Sequence, residues 1–275
     1  MKTLGLVLAC LVLLAIGIWI IVIPESLIVD AIEGAVPGEA LSVRVDGLEK
    51  GLFYSVTARQ ILIHGAKGTK LPAQNMAPPP SDPQPLFTFE RVSGSLDFPS
   101  RVTLSPLIRI EGSLNGGSVS GVTAIREGGR SDIVFRDVSL RGLAALELFG
   151  IKGDGVLSGN MRYGAGAGEI QFTIDKAKFR STTLGGVFIP LEFFSRMRGA
   201  LATRGGNTEV KSFTLEGKDV FARVTGTAEG RDVNMKMELM PEPAFTAEPL
   251  LMTLLTPYKV SPGYYVIPVK TRLAL

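Results

Sequence analysis

The length, composition and charge of the chain exclude several classes of protein. It has 275 residues, with 29 Lys and Arg against 26 Asp and Glu, one Cys and one His. A single Cys and a single His exclude a disulfide framework, a Cys/His zinc site and a Cys–His nucleophile. Because the basic residues are balanced and not clustered, nucleic acid is not expected as a partner.

The chain begins with an apolar run that has the length of a membrane span. Residues 4–23 contain no charged residue, and 14 of these 20 residues are Leu, Ile or Val. Such a run spans roughly 30 Å as a helix, the thickness of the hydrocarbon core. No small-residue cleavage site ends the run, which favours an uncleaved anchor over residues 1–24 above a cleaved signal peptide. We take Leu4, Trp19 and Ile23 as the residues that mark this membrane anchor.

The few charges around the anchor predict its orientation. Lys2 and the α-amine precede the run, whereas Glu25, Asp30 and Glu33 follow it. The positive-inside rule therefore places the N-terminus in the cytoplasm and the body on the far side of the membrane. An apolar stripe within residues 25–38 predicts a short helix, either lying at the membrane surface or extending the anchor.

Alternation of apolar and polar residues predicts a β-rich body over residues 39–275. The clearest run is residues 232–239, in which Val233, Met235, Met237 and Leu239 share one face and polar side chains share the other. Shorter alternating runs occupy residues 41–46, 52–59 and 170–175. This pattern is typical of antiparallel strands with one face in water. Gly-rich turns, such as the one at residues 115–117, separate the strands.

Three segments break the alternating pattern. Residues 66–86 are rich in Pro and predict a loop, interpreted as either a solvated insertion or a strip that docks a partner. Residues 190–203 predict an amphipathic helix, and a second, shorter helix is predicted over residues 247–255. The apolar residues at helical spacing in the first helix are Leu191, Phe194, Met197 and Leu201. These helices would either cap one end of the sheet or form a groove for a partner.

No motif in the sequence predicts catalysis. The Gly-rich stretch at residues 164–168 lacks the last Gly of a dinucleotide-binding loop, because Glu169 stands at that position. No pair of carboxylates stands out as a general acid and base, and His64 has the position of a solvated strand end. We therefore expect a protein that is not an enzyme and that uses no cofactor and no metal.

Several short stretches resemble a known family. Residues 51–58 read GLFYSVTA, residues 93–100 read SGSLDFPS, and residues 114–121 read LNGGSVSG. They are similar to the protein N component of bacterial type II secretion systems, in its delta-proteobacterial form. Residues 213–220 (FTLEGKDV) and 264–268 (YYVIP) resemble the same family and also the wider AsmA-like group of envelope proteins.

The resemblance implies a single-pass protein of the bacterial inner membrane with a periplasmic body. It further implies a long, curved antiparallel sheet, an AsmA-like half-pipe, with an apolar inner face and one or two short capping helices. We hold two hypotheses. The protein docks other secretion-system or envelope proteins through its sheet edges, its Pro-rich loop or a capping helix. Alternatively, it is an AsmA-like lipid-handling or envelope-assembly protein that holds acyl chains in an apolar groove lined by Val233, Met235, Met237 and Leu239.

Overall fold

The main feature of the computed structural model is one antiparallel sheet of 14 strands. The structure describes residues 19, 23–33, 41–52, 54–65, 85–97, 107–124, 128–147, 150–184, 187–230, 232–245, 253 and 255–272. The strands are β1 (Leu41–Lys50), β2 (Ser55–Gly65), β3 (Phe87–Asp97), β4 (Leu107–Leu114), β5 (Gly117–Ala124), β6 (Ser131–Ser139), β7 (Gly153–Gly164), β8 (Ala167–Phe179), β9 (Thr182–Leu184), β10 (Val187–Ile189), β11 (Phe194–Arg204), β12 (Asn207–Gly217), β13 (Val220–Glu229), β14 (Asp232–Pro241), β15 (Lys259–Ser261) and β16 (Tyr264–Arg272). Two α-helices, α1 (Glu25–Glu33) and α2 (Ala144–Glu147), and two 3₁₀ turns, Leu191–Phe193 and Thr256–Tyr258, complete the described elements.

The strands follow one another through the sheet in nearly the same order as in the chain. The order is β1-β2-β3-β4-β5-β6-β7-β8-β11-β12-β13-β14-β16-β15, while β9 and β10 form a separate hairpin. Short connections favour this arrangement, because each strand pairs with the one before it. The expectation of a mainly β protein built on an antiparallel sheet is confirmed. The alternating runs at residues 41–46, 170–175 and 232–239 lie in β1, β8 and β14.

Several predicted segments fall outside the described residues. Among the residues that the structure describes, no helix is long and apolar enough to cross a membrane. Of the predicted anchor, only Trp19, Ile23 and Pro24 are described, and Leu4 is not. Residues 66–84 of the Pro-rich segment and most of residues 247–255 are likewise outside them. The predicted helix within residues 25–38 is present as α1 over its described part.

The helix predicted over residues 190–203 is wrong. This segment forms only a 3₁₀ turn at Leu191–Phe193 and then enters strand β11. A register shift between Phe194 and Arg196 marks a β-bulge, which adds one residue between two apolar positions on the same face. The spacing from Phe194 to Met197 is therefore three residues, which imitates the period of a helix although the backbone is extended.

The alternation at residues 52–59 also overstates the length of a strand. Strand β2 begins at Ser55, and Gly51 and Ser55 close a turn through a backbone hydrogen bond of 2.9 Å. Tyr54 has a φ of 60°, a left-handed conformation that a non-glycine residue adopts in turns and at bulges and not in a regular strand. Val56 and Ala58 lie in β2, as the alternation predicts.

Helix α1 covers the outer edge of β1, which is the first strand of the sheet. The Glu33 carboxylate accepts a hydrogen bond of 2.8 Å from the backbone N–H of Val45, and Glu25 accepts one of 3.4 Å from the N–H of Lys50. An uncovered edge strand offers unpaired backbone groups to other chains. The two carboxylates occupy donors that would otherwise be available for such pairing.

Replacing Glu33 with Ala is expected to lower the free energy of unfolding by about 1–2 kcal/mol, because a charged acceptor of a partly buried N–H is lost. Urea unfolding of the full chain in detergent measures the change. The control is Asp30→Ala on the same helix, whose side chain is exposed and whose loss is expected to stay within about 0.5 kcal/mol. Equal effects of the two variants would show that the Glu33 carboxylate does not stabilise the edge.

The buried core occupies the second half of the sheet. Its fully buried side chains run from Leu140 through the strands to Val269, and include Phe194, Leu215 and Ile267. Connecting segments supply side chains that cover these strands, among them Leu146 of α2 and Phe188 of the β9–β10 hairpin. Phe193 and Phe245 meet edge to face, with ring centroids 5.2 Å apart. Segments that leave the sheet therefore return to cover its second half.

Candidate functional site

One face of the sheet is apolar across almost its whole width. Directly opposed residues in neighbouring strands share a face, so the register identifies its members. One row of opposed residues crosses ten strands: Gly112, Val119, Phe135, Gly159, Phe172, Gly199, Phe213, Val224, Met237 and Ile267. We call the face that carries this row the apolar face. Among the described residues paired into it, the charged ones are Lys50 and Lys259, which lie on the first and last strands, β1 and β15.

The opposite face of the sheet carries the charged residues and their ion pairs. Arg196 Nε lies 2.6 Å from Asp175 Oδ1, and Lys236 Nζ lies 2.6 Å from Glu238 Oε1. Lys211 pairs with Glu169 at 3.2 Å. Because the charges are segregated in this way, the two faces of one sheet meet different environments.

The apolar groove residues predicted in β14 lie on the apolar face, and three of them are buried. Met237 and Leu239 are each 2% exposed, Val233 is also buried, and Met235 is half-buried against the core. These side chains contribute to the packed interior of the second half of the sheet. An accessible groove must therefore be sought elsewhere on the same face.

The accessible part of the apolar face is in the first six strands. The half-buried apolar side chains there are Val43, Val45, Ile61, Ile63, Phe87, Phe89, Ile108, Ile110, Val119, Ile133 and Phe135. The core cluster includes no described residue before Leu140. Leu48, Ala58 and Leu114 of the same face are buried, whereas each of the half-buried side chains keeps part of its surface in contact with solvent. Through those side chains, this half of the face is able to contact an apolar ligand. We call it the open half.

Phenylalanine rings alternate with glycines in the row that crosses the sheet. Phe172 is opposed by Gly159 on one side and by Gly199 on the other, and its ring lies 5.9 Å from that of Phe213. A Cβ atom added at Gly199 would lie 2.3 Å from two atoms of the Phe172 ring. The glycines leave room for the rings to lie flat on the sheet, which packs the face without raising bulky side chains above it.

A cavity on the polar face lies where bulges interrupt neighbouring strands. It has a volume of about 700 Å³ and is lined in part by Asp137, Asp175, Lys176, Arg196 and Glu216. Asp137 and Lys176 have φ values of 55° and 54°. The Asp175 carboxylate accepts a hydrogen bond from Arg196 and raises the pKa of that guanidinium.

In the described part of the chain, no group of three His, Cys, Asp or Glu side chains is placed to hold a metal ion.

Two carboxylates on the polar face are stabilised in their charged form. The pKa of Asp154 is held below its ordinary value of 3.8, first by a hydrogen bond from Arg141 and then by the backbone N–H of Gly155. The pKa of Glu238 is held below its ordinary value of 4.5, first by a hydrogen bond from Lys236. Both groups lie on a charged surface, and their shifts follow from structural ion pairs.

Acidification is expected to destabilise the fold through these carboxylates. Because the pKa of Asp154 is lower in the folded chain than in the unfolded chain, its contribution is complete above the unfolded value and is lost as the pH falls through the folded value. The free energy of unfolding of the Asp154→Asn variant should therefore fall less than that of the wild type when the pH is lowered from neutral to below the folded pKa of Asp154. Thermal unfolding as a function of pH measures this, with Arg141→Ala as the partner variant. An unchanged pH dependence in both variants would contradict the assignment.

Comparison with family models, with curated proteins and with solved structures finds no match to this chain. What the apolar face binds must therefore be inferred from its own chemistry. The signal that sequence reasoning missed is a pair of strand glycines, Gly159 and Gly199, each of which stands opposite Phe172 in the neighbouring strand. That pairing depends on register, which an isolated strand pattern does not contain.

Proposed function

We propose that the protein is a membrane-anchored envelope component that acts by binding and not by catalysis, and that it serves a bacterial type II secretion system. The observation that carries the binding function is the open half of the apolar face. Its half-buried apolar side chains keep part of their surface in solvent, and contiguous apolar surface of this kind marks a site that contacts a partner or a ligand. The secretion role rests on the resemblance of residues 51–58, 93–100, 114–121 and 213–220 to the protein N component.

Docking of another envelope protein uses the open half together with the last edge of the sheet. At the first edge, α1 covers β1. At the last edge, β15 pairs only with Tyr264 and Tyr265 of β16 among the described residues. No other described strand pairs with the outer side of the remainder of β16, which we propose as the place where a partner adds a strand. Pro268 and Lys270 on this edge limit unspecific association, since both residues disfavour edge-to-edge pairing.

A second candidate function is lipid handling on the same face. The apolar face favours this function because it lacks charge. In the strands of the main sheet from β2 to β14, and in β16, no described residue paired into this face is charged. Acyl chains need no hydrogen-bonding partner, and a face of this kind provides none. Fourteen strands at about 4.8 Å spacing give a face ~60 Å wide, enough for extended acyl chains that lie across the strands.

Photocrosslinking in living cells distinguishes the two candidates. A photoreactive amino acid is placed at Val119 on the apolar face of β5, at Lys270 on the last edge, and at Ser118 on the polar face of β5 as the matched control. The docking function predicts adducts with secretion-system proteins from Val119 or Lys270. Phospholipid or lipopolysaccharide adducts from Val119 alone would favour lipid handling. If neither position exceeds Ser118, the apolar face is not a binding surface.

A deletion strain tests the secretion role directly. Loss of this protein is expected to retain type II substrates in the periplasm, and the wild-type chain should restore their export. The Lys270→Glu variant reverses the charge of the last edge and should reduce that restoration, with exposed Lys218→Glu in the turn between β12 and β13 as a control. Normal export without the protein would reject the secretion role, while leaving lipid handling to the crosslinking result.

A further inference from the structure

We infer that the β1–β2 turn, described at residues 51, 52 and 54, lies in the headgroup layer of the membrane beside the end of the apolar run. This inference rests on the proposed membrane anchor. It adds a second, peripheral contact with lipid to the anchor itself. The partner is a bilayer surface, and the contact is made by side chains of the turn and of α1.

The end of the apolar run and the turn form one structural unit. The Trp19 indole N–H donates a hydrogen bond of 3.0 Å to the Gly51 carbonyl. The Lys50 ammonium donates to the carbonyls of Ile23, at 2.6 Å, and Trp19, at 3.3 Å. A Lys ammonium has three N–H donors, so one side chain is able to bind both carbonyls at once. The turn therefore cannot move away from the end of the run without breaking these three contacts.

Aromatic residues reinforce the same junction. The rings of Trp19 and Tyr54 are tilted against each other, with centroids 5.2 Å apart. Tyr54 keeps a φ of 60°, which costs energy for a residue with a side chain, and this conformation accompanies the ring contact. Trp and Tyr are enriched at the level of the lipid headgroups, where their rings meet both apolar and polar surroundings.

Exposed apolar side chains next to this junction identify the bilayer as the partner. Leu52 at the tip of the turn is 61% exposed and Leu27 of α1 is 58% exposed. Both lie within a few residues of the junction formed by Trp19, Ile23 and Lys50. The charge-free run at residues 4–23 ends here, so a bilayer that holds the run would meet these leucines at its surface. A protein partner would need to displace that lipid.

A site-specific fluorescence experiment on the full chain tests the inference. Cys10 is replaced with Ala, and a single Cys is introduced at Leu52 or, as the control, at Val260 of β15. Val260 is 64% exposed and lies on the opposite edge of the sheet, so the two positions match in residue type and exposure. Each variant is labelled with an environment-sensitive NBD dye and reconstituted into phosphatidylcholine–phosphatidylglycerol vesicles, with or without lipids that carry a headgroup nitroxide.

The label at Leu52→Cys should shift its emission to the blue and lose most of it to the nitroxide lipid, and the label at Val260→Cys should not change. Trp19 is the only Trp of the chain, so its quenching by brominated lipids reports the anchor separately. Quenching of Trp19 without quenching at residue 52 would overturn the inference and leave the anchor intact. Failure of the chain to float with the vesicles would overturn both.

Discussion

Replacing Met237 with Asp is expected to lower the free energy of unfolding by about 3 kcal/mol or more, because it places a charge without a partner inside the core. Met237 is 2% exposed in β14 and stands between Val224 of β13 and Ile267 of β16. Neither neighbour offers a hydrogen bond through its side chain. Urea unfolding of the full chain in detergent, followed by circular dichroism, measures the loss.

The matched control is Asn234→Asp in the same strand. Asn234 is exposed on the polar face, three residues before Met237, so the same charge meets water and should change the stability by no more than about 0.5 kcal/mol. Unchanged stability of the Met237→Asp variant would mean that the faces of β14 are reversed. A large loss in both variants would mean that added negative charge in this strand destabilises the chain whatever face it occupies.

The sequence predicts β14 well because nothing interrupts its period. Ten consecutive residues of β14 pair with β13 without a register shift, so alternate residues keep to one face throughout. Each side chain then experiences the environment that its position in the alternation predicts. For a regular strand of this kind, the sequence alone predicts which residues share a face, without knowledge of the neighbouring strands.

Strand β11 shows where prediction from local apolar spacing fails. Its bulge near Arg196 moves the apolar positions from a spacing of two to a spacing of three, and the local pattern becomes identical to that of a helix. The choice between the two is made by pairing with β8 and β12, on both sides of the strand. Backbone partners that are distant in sequence decide the structure here, and local spacing contains no information about them.

Only part of the candidate site is predictable from local sequence, because contacts with distant segments decide the rest. Alternation identifies which residues of β14 share the apolar face, but their burial depends on segments elsewhere in the chain. Leu146 of α2 and Phe188 of the β9–β10 hairpin return to cover the second half of the sheet. No pattern in β14 reports that cover, which leaves Val233, Met237 and Leu239 buried and Met235 half-buried.

Replacing Gly199 with Ala is expected to lower the free energy of unfolding by about 1–3 kcal/mol through overpacking. The added Cβ would meet two atoms of the Phe172 ring at 2.3 Å and a third at 3.0 Å, so the ring must leave its position above the glycine. Displacing it would also disturb its contact with Phe213, whose ring lies 5.9 Å away. Chemical denaturation of the single variant measures the combined loss.

A double-mutant cycle separates this clash from the intrinsic preference of a strand for Ala over Gly. In the Phe172→Ala background the ring is absent, so Gly199→Ala should cost little or even stabilise, because Ala loses less backbone entropy than Gly on folding. The two substitutions together should then destabilise less than the sum of their separate effects, with an interaction of about 0.5–3 kcal/mol. Additive effects would mean that the ring does not lie on Gly199. The alternation of rings and glycines would then follow only from the amino-acid composition of the strands. It would not be the packing arrangement that lets the rings lie flat on the apolar face.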